Sequence, residues 1–167
     1  MNDSILLELY EDLKSSDKNR RWNAIFALRR LKPEGCTRHV ALCLKDEFLP
    51  IRRLAIEILG ELSDISTMYH ILSLLKDPVS GIRVAAVEAL GKMNYPPLEK
   101  PLREMLNDEN LGVRWSACHA LAALGTKASI GSLAAILCED NEMLCEAART
   151  AIKKIRAGRP FKKVSGL

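Results

Sequence analysis

The sequence is poor in aromatic residues and lacks the common catalytic motifs. Only 5% of its 167 residues are Phe, Trp or Tyr, although 48% are hydrophobic. It contains no G-x-S-x-G, no Walker A loop, no G-x-G-x-x-G and no H-E-x-x-H. These absences argue against the hydrolases, nucleotide-binding enzymes and zinc proteases that depend on those motifs. We therefore expect a non-catalytic protein that needs no cofactor.

The cysteines and the lengths of the apolar runs argue against two further classes. The five cysteines include no C-x-x-C pair, and their odd number does not fit a disulfide framework. No run reaches the roughly 18 apolar residues that a membrane helix requires, so no membrane span is expected. The N-terminal stretch MNDSILLELYED lacks the basic region and cleavage site of a signal peptide. Together these features favour a reducing, cytoplasmic environment.

Positive charge is concentrated at the C-terminal end. The formal net charge is +4. Six basic residues follow one another there with no acid between them: Lys153, Lys154, Arg156, Arg159, Lys162 and Lys163. Removing these six charges leaves −2 for the rest of the chain. Gly158 and Pro160 are expected to end the last helix, which makes residues 158–167 a basic tail. Such a tail is either a solubilising end or a contact for nucleic acid, an anionic membrane or an acidic partner.

A period of 31 residues runs through the rest of the chain. The stretch Asp77–Met93, DPVSGIRVAAVEALGKM, recurs on either side as DEFLPIRRLAIEILGEL and DENLGVRWSACHALAAL. One aligned column is alanine in all five registers: Ala24, Ala55, Ala86, Ala117 and Ala148. Agreement over five registers without a gap predicts repeats at about 4–34, 35–65, 66–96, 97–127 and 128–157.

Each repeat is predicted to be a pair of helices. In the third repeat, apolar residues recur at helical spacing from Ile82 to Met93, and an earlier helix spans about Thr67–Lys76. Pro78 falls between these two helices, whereas Pro96 and Pro97 fall between repeats. The pattern predicts an all-α fold, a right-handed α-solenoid of five helix pairs that forms one domain over residues 1–157.

The two end repeats carry basic residues in columns that are apolar elsewhere. Arg20 occupies a column that otherwise holds Ile51, Ile82, Val113 and Leu144. Arg149 occupies a column that otherwise holds Ile25, Ile56, Val87 and Cys118. Terminal repeats need polar outer faces because no further repeat covers them. We therefore expect the array to be capped at five repeats.

The repeat resembles the HEAT family, and most of all the short HEAT-like repeat named after phycobilisome lyase subunits. That pattern has an aspartate, an Ile/Val-Arg pair that ends six residues later, and then Ala-x-x-Ala-Leu-Gly. It is matched here by Asp77, Arg83, Ala86, Ala89, Leu90 and Gly91. The resemblance covers about residues 4–157 and implies an α-solenoid. Such repeats occur in scaffolds, lyase subunits and enzyme accessory proteins.

Two charged columns flank the turn between the paired helices. The acidic column contains Asp46, Asp77 and Asp108, and the basic column six residues later contains Arg52, Arg83 and Arg114, with Arg21 one period before Arg52. We predict a structural ladder in which each arginine lies near the acid of its own repeat or of a neighbouring one. The family resemblance implies the same ladder.

The exposed side of the second helices is predicted to line a concave groove that binds a protein partner. The candidate residues are Trp22, Phe26, Arg29, Arg53, Glu57, Glu88, Trp115 and His119, and the same face of the fifth repeat presents Glu146, Thr150 and Lys153. Tryptophan beside arginine is typical of a protein-binding hot spot. Basic and acidic residues balance on this face, which argues against nucleic acid in the groove and leaves the tail as the place for such a contact.

Two other roles are considered. Cys36, His39 and Cys43 share one helical face, but their spacing matches no zinc signature, and no metal site is expected. The resemblance to lyase subunits implies a lyase-like or chaperone accessory role on a chromophore-bearing protein, with Cys118 and His119 beside Trp115 as its candidates. Iron-binding hydroxylases built on similar repeats use His-Glu dipeptides, and this sequence has none.

Overall fold

The computed structural model describes residues 3–158, and every regular element in that range is helical. The α-helices are α1 (Asp3–Asp12), α2 (Lys18–Leu31), α3 (Thr37–Leu42), α4 (Leu49–Leu62), α5 (Ile65–Ser73), α6 (Ser80–Met93), α7 (Glu99–Glu104), α8 (Leu111–Leu124), α9 (Ser129–Ile136) and α10 (Glu142–Arg156). Short 3-10 turns occupy Cys43–Lys45, Leu74–Lys76, Pro96–Leu98 and Met105–Asn107. The prediction of an all-α fold is confirmed.

Two compact parts of the chain, Met1–His70 and Ile71–Leu167, are described separately as the first and second unit. Lys153, Lys154 and Arg156 of the predicted basic segment lie in α10. Arg159, Lys162 and Lys163 lie outside the described residues. Within residues 3–158, no helix combines the length and hydrophobicity that a membrane crossing requires.

The acidic column shapes the turn that precedes each long helix. The Oδ1 atoms of Asp46, Asp77 and Asp108 each accept a hydrogen bond of 2.8 Å from the backbone N–H two residues later. This side-chain turn mimics a backbone turn and fixes the direction in which the chain enters the next helix. As a result α4, α6 and α8 all begin three residues after their aspartate.

The first helices of the repeats are shorter than the sequence pattern predicts. The helix expected over Thr67–Lys76 ends at Ser73, and Leu74–Lys76 forms a 3-10 turn. The tighter i→i+3 hydrogen bonds satisfy carbonyls at the end of the α-helix just before the aspartate turn. Pro96 and Pro97, expected between repeats, begin the 3-10 turn Pro96–Leu98, where a missing N–H costs nothing.

Small residues allow the long helices to pack closely. All five alanines of the repeating column are at most 1% exposed. Gly91 gives the clearest case, because a Cβ added there would lie 2.7 Å from the Cβ of Ala120 and 3.0 Å from its Cα. Helices α6 and α8 therefore approach each other more closely at Gly91 than any larger side chain permits.

Candidate functional site

Helices α2 and α4 form an open depression of 220 Å³ in the first unit, referred to below as the Trp22 depression. It is lined by Trp22, Phe26, Arg29, Pro50, Arg53, Leu54 and Glu57. Trp22 is 36% exposed and Phe26 is 47% exposed. Two aromatic rings therefore reach solvent on the side of α2 that faces away from the alanine column.

The charged residues of the Trp22 depression are paired within the protein. Arg29 contacts Glu57 at 3.4 Å and Glu61 at 2.7 Å, and Arg53 contacts Glu57 at 3.2 Å. The hydrogen bond from Arg29 is the main reason why the pKa of Glu61 lies below its ordinary value. These pairs are partly exposed, so they contribute little to stability and can exchange partners readily.

Helices α8 and α10 form a second open depression of 510 Å³ in the second unit, referred to below as the Trp115 depression. It is lined by Trp115, His119, Glu142, Met143, Glu146, Ala147 and Thr150. Trp115 is 37% exposed, and its ring lies against that of His119 with 4.0 Å between the centroids and a tilt of 49°. The charged lining residues are Glu142 and Glu146, and Glu146 contacts the exposed Arg149 at 3.3 Å.

The two depressions occupy the same place in their repeats. Trp22 and Trp115 stand three repeat periods apart, and each is joined by the residues 28, 31, 32 and 35 positions further along. In the first unit these are Pro50, Arg53, Leu54 and Glu57, and in the second they are Met143, Glu146, Ala147 and Thr150. Sequence reasoning named most of the tryptophan side but missed Pro50, Leu54, Glu142, Met143 and Ala147. Adding one repeat period to the position of each tryptophan gives Arg53 and Glu146, which lie on the long helix that forms the other wall of each depression.

Glu88, which the sequence placed on the same face, lies on α6 and is exposed. It accepts a hydrogen bond from the Ser116 hydroxyl at 3.5 Å. It lines neither the Trp22 nor the Trp115 depression.

Arginines of the basic column join consecutive repeats through buried ion pairs. Arg83 donates from Nε and Nη2 to the two carboxylate oxygens of Asp108 at 2.8 and 2.9 Å. Arg21 binds Asp46 in the same two-pronged way at 2.7 and 3.0 Å. In both cases the acid belongs to the following repeat, and the arginine Nη1 donates to a carbonyl of its own turn. Within each unit, the ion pair and the turns that it joins therefore form a connected layer.

In the second unit this layer weakens towards the C-terminal end. Arg114 makes one contact of 3.2 Å with Glu139, and this pair is more exposed than the Arg83 pair. Cys145 stands where the next arginine would be, and its thiol donates to the Glu139 carbonyl at 3.3 Å. In the described part of the chain, the Nε atoms of Arg52 and Arg114 are buried without a hydrogen-bond partner.

The carboxylates of the buried ion pairs are held in their charged form. Burial alone would raise the pKa of Asp108, but hydrogen bonds from Arg83 and the Asn110 amide outweigh it, and the pKa lies below its ordinary value. Burial would also raise the pKa of Asp46, but hydrogen bonds from Arg21 and the Phe48 amide outweigh it, and this pKa is lowered too. The two aspartates thus act in the scaffold rather than as proton donors.

The three candidate cysteines are buried, whereas His39 is partly exposed and His119 is exposed. Cys118 is fully buried, and burial raises the pKa of its thiol to about 11, so it offers no accessible thiolate to a chromophore. Cys36 and Cys43 are buried too, and the ring of His39 stacks on Tyr10 at 3.6 Å. Among residues 3–158, no group of three or more His, Cys, Asp or Glu side chains is placed to hold a metal ion.

The helix pairs, their aspartate turns and the alanine-lined crossings define a helical repeat protein of the HEAT and armadillo class. The family model described as HEAT repeats matches residues 68–153, just over half of the chain. The chain belongs to the HEAT repeat family. A search of curated proteins found no match.

Solved structures show the same fold at low sequence identity. The complex of CpcE and CpcF of phycocyanin lyase from Nostoc sp. PCC7120 is similar over 92% of this chain, with a TM-score of 0.77 and 21% identity. This chain covers 65% of that lyase chain. A designed armadillo repeat protein in complex with the peptide (KR)4 is similar over 90% of this chain and 81% of its own, with a TM-score of 0.68 and 16% identity. At such identities the likeness shows the fold alone.

Proposed function

We propose that this protein is a non-catalytic interaction module that binds a protein partner through the exposed side of its long helices. One observation carries the proposal: a tryptophan that is more than one-third exposed stands at the same repeat position in each unit, beside an open depression. Tryptophan is costly to leave in contact with water and is enriched where protein partners bind. The packing of the fold does not need tryptophan there, because other repeats hold Arg53, Val84 or Glu146 in that column.

The residues around the two tryptophans are of two kinds, apolar side chains and charged side chains. Trp22 and Phe26 in the first unit, and Trp115 with His119 in the second, supply flat apolar surface for contact. Arg29, Arg53 and Glu57 form partly exposed ion pairs that a charged partner can rearrange, which favours specificity over raw affinity. Glu88 adds an exposed carboxylate between the two sets along the sequence.

The test is capture of partners by the full chain and by a Trp22→Ala, Trp115→Ala double variant. Native extracts are passed over each immobilised protein, and retained proteins are quantified by mass spectrometry. A matched control, Leu42→Ala with Tyr69→Ala, removes two large exposed side chains from the short helices α3 and α5. We expect the tryptophan variant to lose about tenfold or more of a specific partner and the control to keep it. Equal capture by both variants would refute the proposal.

The fold likeness to phycocyanin lyase favours one second candidate, an accessory role on a chromophore-bearing protein. In this chain the role would fall to Trp115 and His119, because Cys118 is buried. The test is titration of the purified protein with a linear tetrapyrrole while the visible absorbance spectrum is recorded. A shifted band that disappears in Trp115→Ala would support the role, and an unshifted spectrum would remove it.

A further inference from the structure

The second unit carries a further groove at its last helix pair. An open groove of 380 Å³, referred to below as the end groove, lies between α9 and α10. It is lined by Ile130, Ala134, Leu137, Arg149, Ile152, Lys153 and Arg156. Leu137 is 36% exposed, an unusual state for a leucine of the first-helix core column. The groove therefore combines an apolar floor with a cationic wall.

The preceding repeat shows what normally fills such a groove. Leu106, Cys118 and Leu121 stand one period before Leu137, Arg149 and Ile152, and they are at most 2% exposed. They are covered because α9 packs against α7 and α10 packs along α8. A helix laid on α10, as α10 is laid on α8, would bury the end groove in the same way.

The charge of the end groove restricts what that helix can be. Arg149, Lys153 and Arg156 line it, and no acidic side chain does. Within the described residues, Lys153 and Arg156 form no ion pair, and Arg149 has only an exposed contact with Glu146. An occupant must therefore bring apolar side chains for Leu137 and carboxylates for the cations.

Two occupants from the protein itself do not meet that requirement. A second copy that stacked its first repeat here would lay α2 along α10, but α2 carries five basic residues and no acid. The chain's own last nine residues include Arg159, Lys162 and Lys163 and no acid. In both cases like charges would face each other. Helix α1 of a second copy is acidic and exposes Ile5 and Leu7, but two of its four acids, Glu11 and Asp12, already pair with Lys14 and Arg20. Self-association through α1 is therefore an outcome that the experiment has to separate.

We propose that the end groove binds an amphipathic helix of another protein, with an apolar stripe flanked by glutamates or aspartates. The helix lies along α10, its apolar side chains cover Ile130, Leu137 and Ile152, and its carboxylates pair with Arg149 and Arg156. A single helix buries a small interface, so binding is reversible and salt-dependent. The end groove shares no lining residue with either tryptophan depression.

The probe is a fluorescently labelled synthetic helix of about five turns, with leucines at helical spacing and glutamates beside them. Binding to the full chain is followed by fluorescence anisotropy. We expect Arg149→Glu with Arg156→Glu to weaken binding by about tenfold or more. The control, Lys92→Glu with Lys100→Glu, makes the same change in net charge at exposed residues outside the groove. It is expected to weaken binding by no more than about twofold, as a screened long-range effect.

Charge exchange and a scrambled probe make the test decisive. A probe with lysines in place of glutamates should bind the Arg149→Glu, Arg156→Glu variant more tightly than the original chain. The Trp22→Ala, Trp115→Ala variant should bind the acidic probe normally, which separates this inference from the proposed function. Equal binding of a scrambled acidic peptide would overturn the proposal, because charge alone would then suffice. Three other results would also overturn it: equal weakening of binding by the control variant, a dimer of the chain in sedimentation velocity that Arg149→Glu with Arg156→Glu abolishes, or tighter binding of an RNA oligonucleotide to the same two arginines.

Discussion

The long helices have two sides that follow different rules. On the buried side one column holds alanine in every repeat, as at Ala24 and Ala117, because only a small side chain fits where the helices cross. On the exposed side the repeats diverge: Phe26 corresponds to His119, and Arg53 corresponds to Glu146. The comparison teaches that identical backbone positions carry the fold on one side and are free to carry recognition on the other.

The two tryptophan depressions differ in the charges that line them. In the Trp22 depression the charges are paired, with Glu57 shared between Arg29 and Arg53. In the Trp115 depression the charged lining residues are both glutamates. The two depressions therefore have the same aromatic residue in different electrostatic settings, and under the proposed function each would bind a different segment of a partner.

The largest loss of stability is expected from a substitution among the buried residues. Arg83→Ala would leave the buried carboxylate of Asp108 without its partner and would also free the Asp77 carbonyl. Removing one member of a buried ion pair typically costs about 3–5 kcal/mol. Urea unfolding followed by circular dichroism measures this loss.

Arg114→Ala is the matched control for that experiment. Its single contact with Glu139 is longer and more exposed than the Arg83 pair. We expect a markedly smaller loss in the free energy of unfolding than for Arg83→Ala. Equal losses would show that the depth of burial does not set the strength of this layer.

The next largest loss of stability is expected at Gly91, where α6 crosses α8. Gly91→Ala places a Cβ against the Cβ and backbone of Ala120, which cannot rotate away. Overpacking of this kind costs about 1–3 kcal/mol, from which the better helix propensity of alanine subtracts up to about 1 kcal/mol. Gly81→Ala in the same helix meets nothing within 4 Å, so it should be neutral or slightly stabilising. The difference between the two midpoints in thermal unfolding tests the crossing directly.

A smaller contribution to stability, which depends on pH, is expected from Glu99. Its Oε1 accepts hydrogen bonds from the Thr126 amide, the Thr126 hydroxyl and the Ser129 hydroxyl. Burial alone would raise the pKa of Glu99, but these hydrogen bonds outweigh it, and the pKa lies below its ordinary value. A lowered pKa in the folded state means that the charged form contributes stability above the ordinary glutamate pKa of about 4.3. That contribution is lost as the pH falls through the lowered pKa.

Glu99→Gln tests this pH dependence. Hydrogen bonds to a charged acceptor are about twice as strong as neutral ones, so the variant should lose about 1 kcal/mol at pH 7. The gap between variant and original protein should stay constant down to about pH 5 and narrow below about pH 4. A gap that is unchanged at pH 3 in urea titrations would assign the loss to packing instead of charge.

The sequence predicted the fold well because the fold depends on the residues that repeat. The 31-residue spacing of alanine, aspartate and arginine indicated the helix pairs and their turns before any coordinates. It left open whether each arginine pairs within its own repeat, and the structure pairs Arg21 and Arg83 with the following one. The sequence could not settle this because both acids stand at plausible distances along the chain.

The sequence predicted the candidate site less completely because each depression is built from two repeats. Helical spacing within one helix pointed to Trp115 and His119, but Met143 and Glu142 come from the next long helix. The hydrogen bonds of Glu99 to Thr126 and Ser129 were missed for the same reason. Contacts between repeats need the packing of one helix on another, which no pattern within a helix contains.

The smallest expected effect lies on the exposed side, at Glu57. Glu57→Gln removes the carboxylate that Arg29 and Arg53 share in the Trp22 depression. These side chains are partly exposed, and such pairs contribute about 0–1 kcal/mol, so thermal unfolding should change by only a few degrees or less. Arg29, Arg53 and Glu57 give the lining of the Trp22 depression a charge of +1, and the same substitution raises it to +2. An acidic partner segment should therefore bind it faster at low salt and a basic segment more slowly. A loss of stability as large as that of Arg83→Ala would show that both sides of the helix serve the fold, and the contrast between a repeated scaffold and a variable binding side would fail.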